Sequence, residues 1–209
     1  MAAGYVTLNF KDGDSTTRTG RFWSLDGTTS GLLVPASVPF GLISCPAKQT
    51  FTRPADTTTY ALNDLVANST TAGSVTPLSF TGATISGAGG SGEIVGVVVS
   101  KLGTATLVAR THWFTASPTV NQGDNSGLSL ASFDQDNYIG FIDVTVNDPV
   151  TDTDASGAAT GALGVSSPTS LPYTLASTDT LYCLIEAQNL WIPQASDVIA
   201  VRPKLRRYG

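Results

Sequence analysis

Polar and apolar residues alternate over short runs that turn residues separate, and strands are the elements this pattern predicts. Tyr5–Phe10 alternates, Lys11–Asp14 supplies turn chemistry, and Thr19–Leu25 runs back, so residues 1–25 read as a hairpin. Residues 31–50 are apolar but broken by Pro35, Pro39 and Pro46. A proline has no N–H for a central ladder, so this run reads as an extended arm or edge segment. Its Leu32, Leu33, Val34, Phe40, Leu42 and Ile43 need another surface to cover them.

From residue 51 the rhythm becomes strand, turn, strand. Tyr60–Val66 fits either a short strand or one helical turn, and Val75–Ile85 is a threonine-rich strand. Ser86–Gly92 is the sharpest break. Glu93–Lys101, with Ile94, Val95, Val97, Val98 and Val99, is dense enough for a strand buried on both faces. In Thr104–Phe114, period two puts Ala105, Leu107, Ala109, Thr111 and Trp113 on one face. Tyr138–Val146, Leu181–Ala187 and Asp197–Arg202 are further strands, and residues 147–170 read as a long Asp/Ser/Gly/Thr loop. The expected architecture is all-β. Residues 1–50 form a hairpin and extended arm, and residues 51–209 form a β-sandwich of the jelly-roll kind with a basic C-terminal tail.

Composition narrows the class. Charged residues make up only 13% of the chain and apolar residues 41%, against about 25% charged on average. Glu occurs twice and Met once, too few to surface helices. The hydropathy is too high for disorder, and no run approaches the ~18 apolar residues of a spanning helix. The opening MAAGYVTLNFKDGD lacks a basic start followed by an apolar run, so no secretory leader is expected. Cys45 and Cys183 match no metal or redox spacing and read as two buried thiols of a protein folded in a reducing cytoplasm. Residues 111–201 hold ten acids and no Lys or Arg, whereas Arg202, Lys204, Arg206 and Arg207 crowd the C-terminal end. Such an end suits the acidic surface of a neighbouring copy as well as it suits a solubilising tail. Nucleic-acid binding is not expected beside so acidic a body.

Candidate chemistry is sparse. His112 is the one imidazole, and it sits in a strand beside Trp113 with no nucleophile patterned around it, so a surface-facing strand histidine is the expected role. No zinc or phosphate-loop spacing occurs, and most acids stand where Asp serves turns. No cofactor and no catalytic residue is expected. Asp152, Asp154 and Ser156, with Gly157 sixth, match the first half of a calcium loop, but Leu163 stands where the bidentate Glu belongs. A solvated loop is the preferred reading there. Trp113 and Trp191 are expected in the core. Phe22 and Trp23 lie on a hairpin too small to bury them and are expected to anchor a partner.

Arg53-Pro-Ala-Asp-Thr-Thr-Thr-Tyr-Ala-Leu-Asn-Asp-Leu-Val66 resembles the R-P-x-D-T-x-x-Y-x-x-x-D-x-[IV] opening of a group of tailed-bacteriophage virion proteins. Phe114–Pro118, Asp124-Asn125 and the Tyr138-Ile-Gly140 strand are similar to later parts of that group. The likeness runs to about Val201, roughly three quarters of the chain. Asn9–Asp14 with Arg21–Trp23 is similar to arms of phage structural proteins. The resemblance implies a non-enzymatic virion component, assembled in the host cytoplasm as a homo-oligomer and displayed on the head. It would be a capsid decoration (cement) or minor capsid protein, with the major capsid protein or other virion proteins as partners and no membrane. The other class it leaves open is a tail or baseplate module that binds a host-surface ligand such as a glycan. Residues expected to meet partners are Phe22, Trp23, Leu32, Leu33, Phe40, Arg202, Lys204, Arg206 and Arg207.

Overall fold

A computed structural model describes residues 4–11, 17–24, 42–130, 132–152 and 159–208, the first two stretches by their backbone alone. The chain divides into two units, Met1–Phe40 and Gly41–Gly209. In the first, β1 (Gly4–Lys11) and β2 (Thr17–Ser24) pair antiparallel, with Tyr5 opposite Trp23 and Lys11 opposite Thr17.

The second unit is a β-sandwich of two antiparallel sheets. Its strands are β3 (Leu42–Ser44), β4 (Gln49–Thr52), β5 (Asp64–Val66), β6 (Leu78–Phe80), β7 (Gly90–Leu102), β8 (Leu107–Phe114), β9 (Tyr138–Val146), β10 (Asp148–Asp152), β11 (Ala159–Val165), β12 (Leu171–Leu175), β13 (Leu181–Ala187) and β14 (Val198–Tyr208). The seven-stranded sheet runs β10-β11-β7-β14-β3, with β12 also on β7 and β4 also on β14. The five-stranded sheet runs β5-β13-β8-β9, with β6 also on β13.

The strand face read from period two in β8 is the inner one. Leu107, Ala109, Thr111 and Trp113 are all fully buried between the sheets. Thr111 is accommodated there because its hydroxyl donates to the Ile142 carbonyl at 2.8 Å and accepts from Trp113 Nε1 at 3.0 Å. Trp113 packs on Phe80 with centroids 5.4 Å apart, and each such side chain contributes about 1.5–3 kcal/mol by leaving water.

Strand β7 has no exposed position from Gly92 to Leu102, in keeping with its dense apolar sequence. Ile94, Val97 and Val99 are fully enclosed, whereas Val95 and Val98 are half-buried. Ile94 and Val97 both point inward although three positions apart, because the ladder with β14 shifts between Lys204 and Leu205. The bulge on β7 resets the alternation.

Residues 41–50 belong to the sandwich. β3 pairs with Leu205–Arg207 and β4 with Val198–Val201, so both extend the edge beyond β14. Pro46 falls in the gap between them, which agrees with the edge-segment half of the sequence reading. The boundary between the two units accordingly lies ten residues before the shift in composition at residue 51. The loop expected over residues 147–170 instead contains β10 and β11. Gly164 of β11 lies against the backbone of Thr145 and Val146 in β9, so closely that a Cβ there would overlap the Thr145 carbonyl. Along this side the two sheets touch.

Candidate functional site

The motif that follows β4 folds into a buried corner. Arg53 leaves β4 with its guanidinium fully enclosed. Its Nε donates to the Tyr60 hydroxyl, and its Nη2 donates to Asp124 Oδ2 at 2.9 Å. Tyr60 donates in turn to Asp124 Oδ1 at 2.5 Å, and the Ala67 amide donates to the same oxygen at 2.6 Å. Asp56 stands 3.6 Å from Arg53, and the Gln194 carbonyl accepts from Arg53 at 3.4 Å. The guanidinium also lies over the rings of Tyr60, at 4.6 Å, and Trp191, at 5.5 Å.

Each ionisable group responds to this setting. Burial works against the charge of Arg53, but Tyr60 and Asp124 outweigh it and hold its pKa above the ordinary value. Burial pushes the Asp124 carboxyl up, against the pull of Tyr60, Ala67 and Arg53. The Tyr60 hydroxyl is raised by burial and by the Asp124 carboxylate beside it. A phenol that stays protonated between a cation and a carboxylate is a hydrogen-bond bridge, and the corner is a clamp.

The rest of the motif serves the same clamp. Asp56 caps the Thr58 amide and Asp64 the Ala61 amide. Asn63 and Asn125 take left-handed backbone at φ 72° and 59°, a conformation asparagine tolerates. Asn125 then donates its amide to the Leu65 carbonyl. The residues of the Arg53–Val66 motif are therefore architectural.

A second cluster surrounds His112 on the outer face of the five-stranded sheet. It faces outward, as a strand histidine was expected to, but neighbours cover it to 8% exposure. Its Nε2 lies 3.0 Å from Glu186 Oε2 and its Nδ1 3.0 Å from the Tyr138 hydroxyl. Beside it Arg110 grips Asp143 through two bonds of 2.8 and 2.9 Å and lies 4.0 Å from the centre of the half-exposed Phe141 ring. Burial raises the Tyr138 hydroxyl. Sequence reasoning found His112 but not its partners, which come from two other strands.

The basic end is not a free tail: it is β14, hydrogen-bonded along β7 as far as Tyr208. Arg206 pairs with Glu93, which also accepts from Ser170 and Tyr208. Those hydroxyls, and then Arg206, hold the Glu93 carboxyl below its ordinary range. Arg207 donates to the carbonyls of Gly82 and Thr84, and Arg202 to that of Pro46. Lys204 is exposed.

Trp113 and Trp191 are core residues, as expected. Of the two cysteines, Cys183 is buried, and burial pushes its thiol well up, but Cys45 is exposed between β3 and β4. The expectation of two buried thiols fails at Cys45 because the edge strand breaks at Pro46 and leaves it uncovered. The side chains of Phe22, Trp23 and Asp152, together with Leu32, Leu33, Phe40, Asp154 and Ser156, lie outside the described residues. Among the described residues no cluster of three or more His, Cys, Asp or Glu could hold a metal. No family model, no curated protein and no solved structure matches the chain.

Proposed function

We propose that this chain is a non-enzymatic structural protein of a tailed-bacteriophage virion, a capsid decoration or minor capsid protein. Its N-terminal hairpin and arm hold it to the major capsid protein or to other virion proteins, and its body is a jelly roll. The observation that carries the proposal is the convergence of the resembling residues. Arg53 and Asp124 stand 71 positions apart, yet they meet with Tyr60 in one clamp. Residues that match a family pattern by accident of composition have no reason to meet in space. The strand order supports the jelly roll. Counting β3/β4, β5/β6, β7, β8, β9, β11/β12, β13 and β14 as eight successive strands, one sheet takes the first, eighth, third and sixth. The other takes the second, seventh, fourth and fifth. Both His112 nitrogens are engaged by Glu186 and Tyr138, which favours a structural role over catalysis.

A tail or baseplate module that binds a host-surface glycan is the second reading. Jelly rolls also build lectin domains, and the half-exposed Phe141 beside Arg110 favours it. Both readings are tested on virions purified from cells that make this chain, labelled with an antibody against it and imaged. Label spread over the head supports the first reading, and label confined to the tail supports the second. Particles that lack the chain by mass spectrometry overturn both.

A further inference from the structure

Two buried charged residues, Lys101 and Asp197, take no part in the clamp's ion pair. Val99 of β7 stands opposite Val201 of β14, and both are fully buried. Side chains alternate along a strand, so Lys101, two residues beyond Val99, also points inward, at 4% exposure. Ile199 and Asp197, two and four residues before Val201, share that inner face, and Asp197 is only 1% exposed. Lys101 and Asp197 are therefore diagonal neighbours across two paired strands. Such neighbours lie about 7–8 Å apart, within reach of a long side chain. Their end groups meet the same turn. Lys101 Nζ donates to the Gly103 carbonyl at 2.9 Å and to the Leu102 carbonyl at 3.4 Å. Asp197 Oδ1 accepts from the Leu102 amide at 2.8 Å, and its buried Oδ2 has no hydrogen-bond partner among the described residues. The buried Trp191 ring covers Nζ, its centre 5.6 Å away.

Burial pulls the Lys101 ammonium below its ordinary value and lifts the Asp197 carboxyl to about 6, and the charge of each only partly offsets the shift of the other. Both shifts lead toward an uncharged amine beside an uncharged acid, the two reactants of an amide. We infer that Lys101 and Asp197 condense into an isopeptide bond that ties β7 to the segment entering β14. The lone pair of Nζ attacks Asp197 Cγ and the N–C bond forms. One carboxyl oxygen leaves as water, taking the carboxyl proton and one proton from the nitrogen. Nothing else is consumed. A desolvated lysine is a competent nucleophile, and two groups fixed side by side avoid the entropy of an encounter. Arg53, whose charge acts on Asp197, stabilises the negative oxygen of the tetrahedral intermediate. Exclusion of bulk water then protects the amide from hydrolysis. Because two carbonyls hold Nζ, it must swing to the carboxyl first. The bond therefore forms after folding, and the freshly folded chain carries Asp197 as a free acid. None of this depends on the virion assignment.

The purified full chain is held below its melting temperature for a week, and its intact mass is followed. A loss equal to one water is expected. A tryptic digest of the aged protein should then show no cleavage after Lys101 and a branched peptide joining Lys101 to Asp197. That branched peptide carries the inference, whether it forms before or after purification. Lys101→Met, which keeps the length of the stem, should hold its sequence mass throughout. Wild-type chain kept unfolded in urea should hold it as well, so the comparison survives if the variant folds poorly. A folded wild type that keeps its sequence mass for the week overturns the inference. So does water lost without a branched peptide, as when an Asp-Gly step such as Asp26-Gly27 cyclises.

Discussion

Replacing Asp124 with Ala removes the acceptor on which three buried donors converge. Arg53 then keeps its bond to the Tyr60 hydroxyl, with Asp56 at 3.6 Å and a long bond to the Gln194 carbonyl. Stranding one member of a buried ion pair costs about 3–5 kcal/mol. The Ala67 amide and the Tyr60 hydroxyl each lose their bond to Asp124, worth about 1–3 kcal/mol where nothing replaces it. Local relaxation keeps these from adding in full, so about 4 kcal/mol is the expected loss. Against a typical stability of ~5–15 kcal/mol, a unit of this size should melt roughly 8–16 °C lower. Urea unfolding followed by tryptophan fluorescence reads the change directly, because Trp191 lies against both Tyr60 and Arg53. Arg53→Met should be costly alone but add little on top of Asp124→Ala, with a coupling of about 1–3 kcal/mol. A loss below about 1 kcal/mol for Asp124→Ala, or strict additivity of the two, would refute the clamp.

Asp197 is buried with Oδ1 accepting from the Leu102 amide, and burial lifts its carboxyl to about 6 despite the nearby Lys101. Its contribution is therefore full below the unfolded value of ~3.9 and is lost as pH rises through about 6, amounting to roughly 3 kcal/mol. Asp197→Asn should flatten the stability profile between those limits, and parallel profiles would count against this. A chain that starts at residue 41 should melt in one cooperative step, whereas one that starts at residue 51 loses β3 and half of β4 and should melt lower. Equal midpoints in calorimetry would show that the edge strands add nothing. Phe22→Ala with Trp23→Ala should cut particle occupancy, since aromatic anchors typically cost ~2 kcal/mol or more, while the sandwich keeps its melting temperature. Wild-type occupancy in a pelleting assay would dismiss the anchor role.

The strands best read from sequence were those whose own side chains make the pattern. β8 and β13 carry a full period-two inner face, and β9 was bounded by its alternation. β11 was read as loop because Gly161, Gly164 and Thr160 look like turn residues. Gly164 is there so that the strand can back onto Thr145, a requirement set by a neighbour rather than by local sequence. β14 was cut short at Arg202 because four cations look like a tail. Glu93 and the carbonyls of Gly82 and Thr84, all distant in sequence, make a strand of them. In the same way the motif pointed to Arg53 and Tyr60 but not to their burial, since Asp124 supplies the compensating charge from another loop. Long-range polar partners leave no local signal.

The two long margins of the sandwich are built differently. On one, β9 passes through Asn147 straight into β10, so one run of chain belongs to both sheets, and Gly164 holds the layers in contact. On the other, β4 and β6 flank a groove of about 320 Å³, and no continuous strand crosses it. A pull that separates the layers therefore meets one continuous strand on the first margin and, on the second, a groove bridged only by the 53–63 connection from β4 to β5. The body should open like a book, hinged along β9–β10, and the groove margin is where tension yields first.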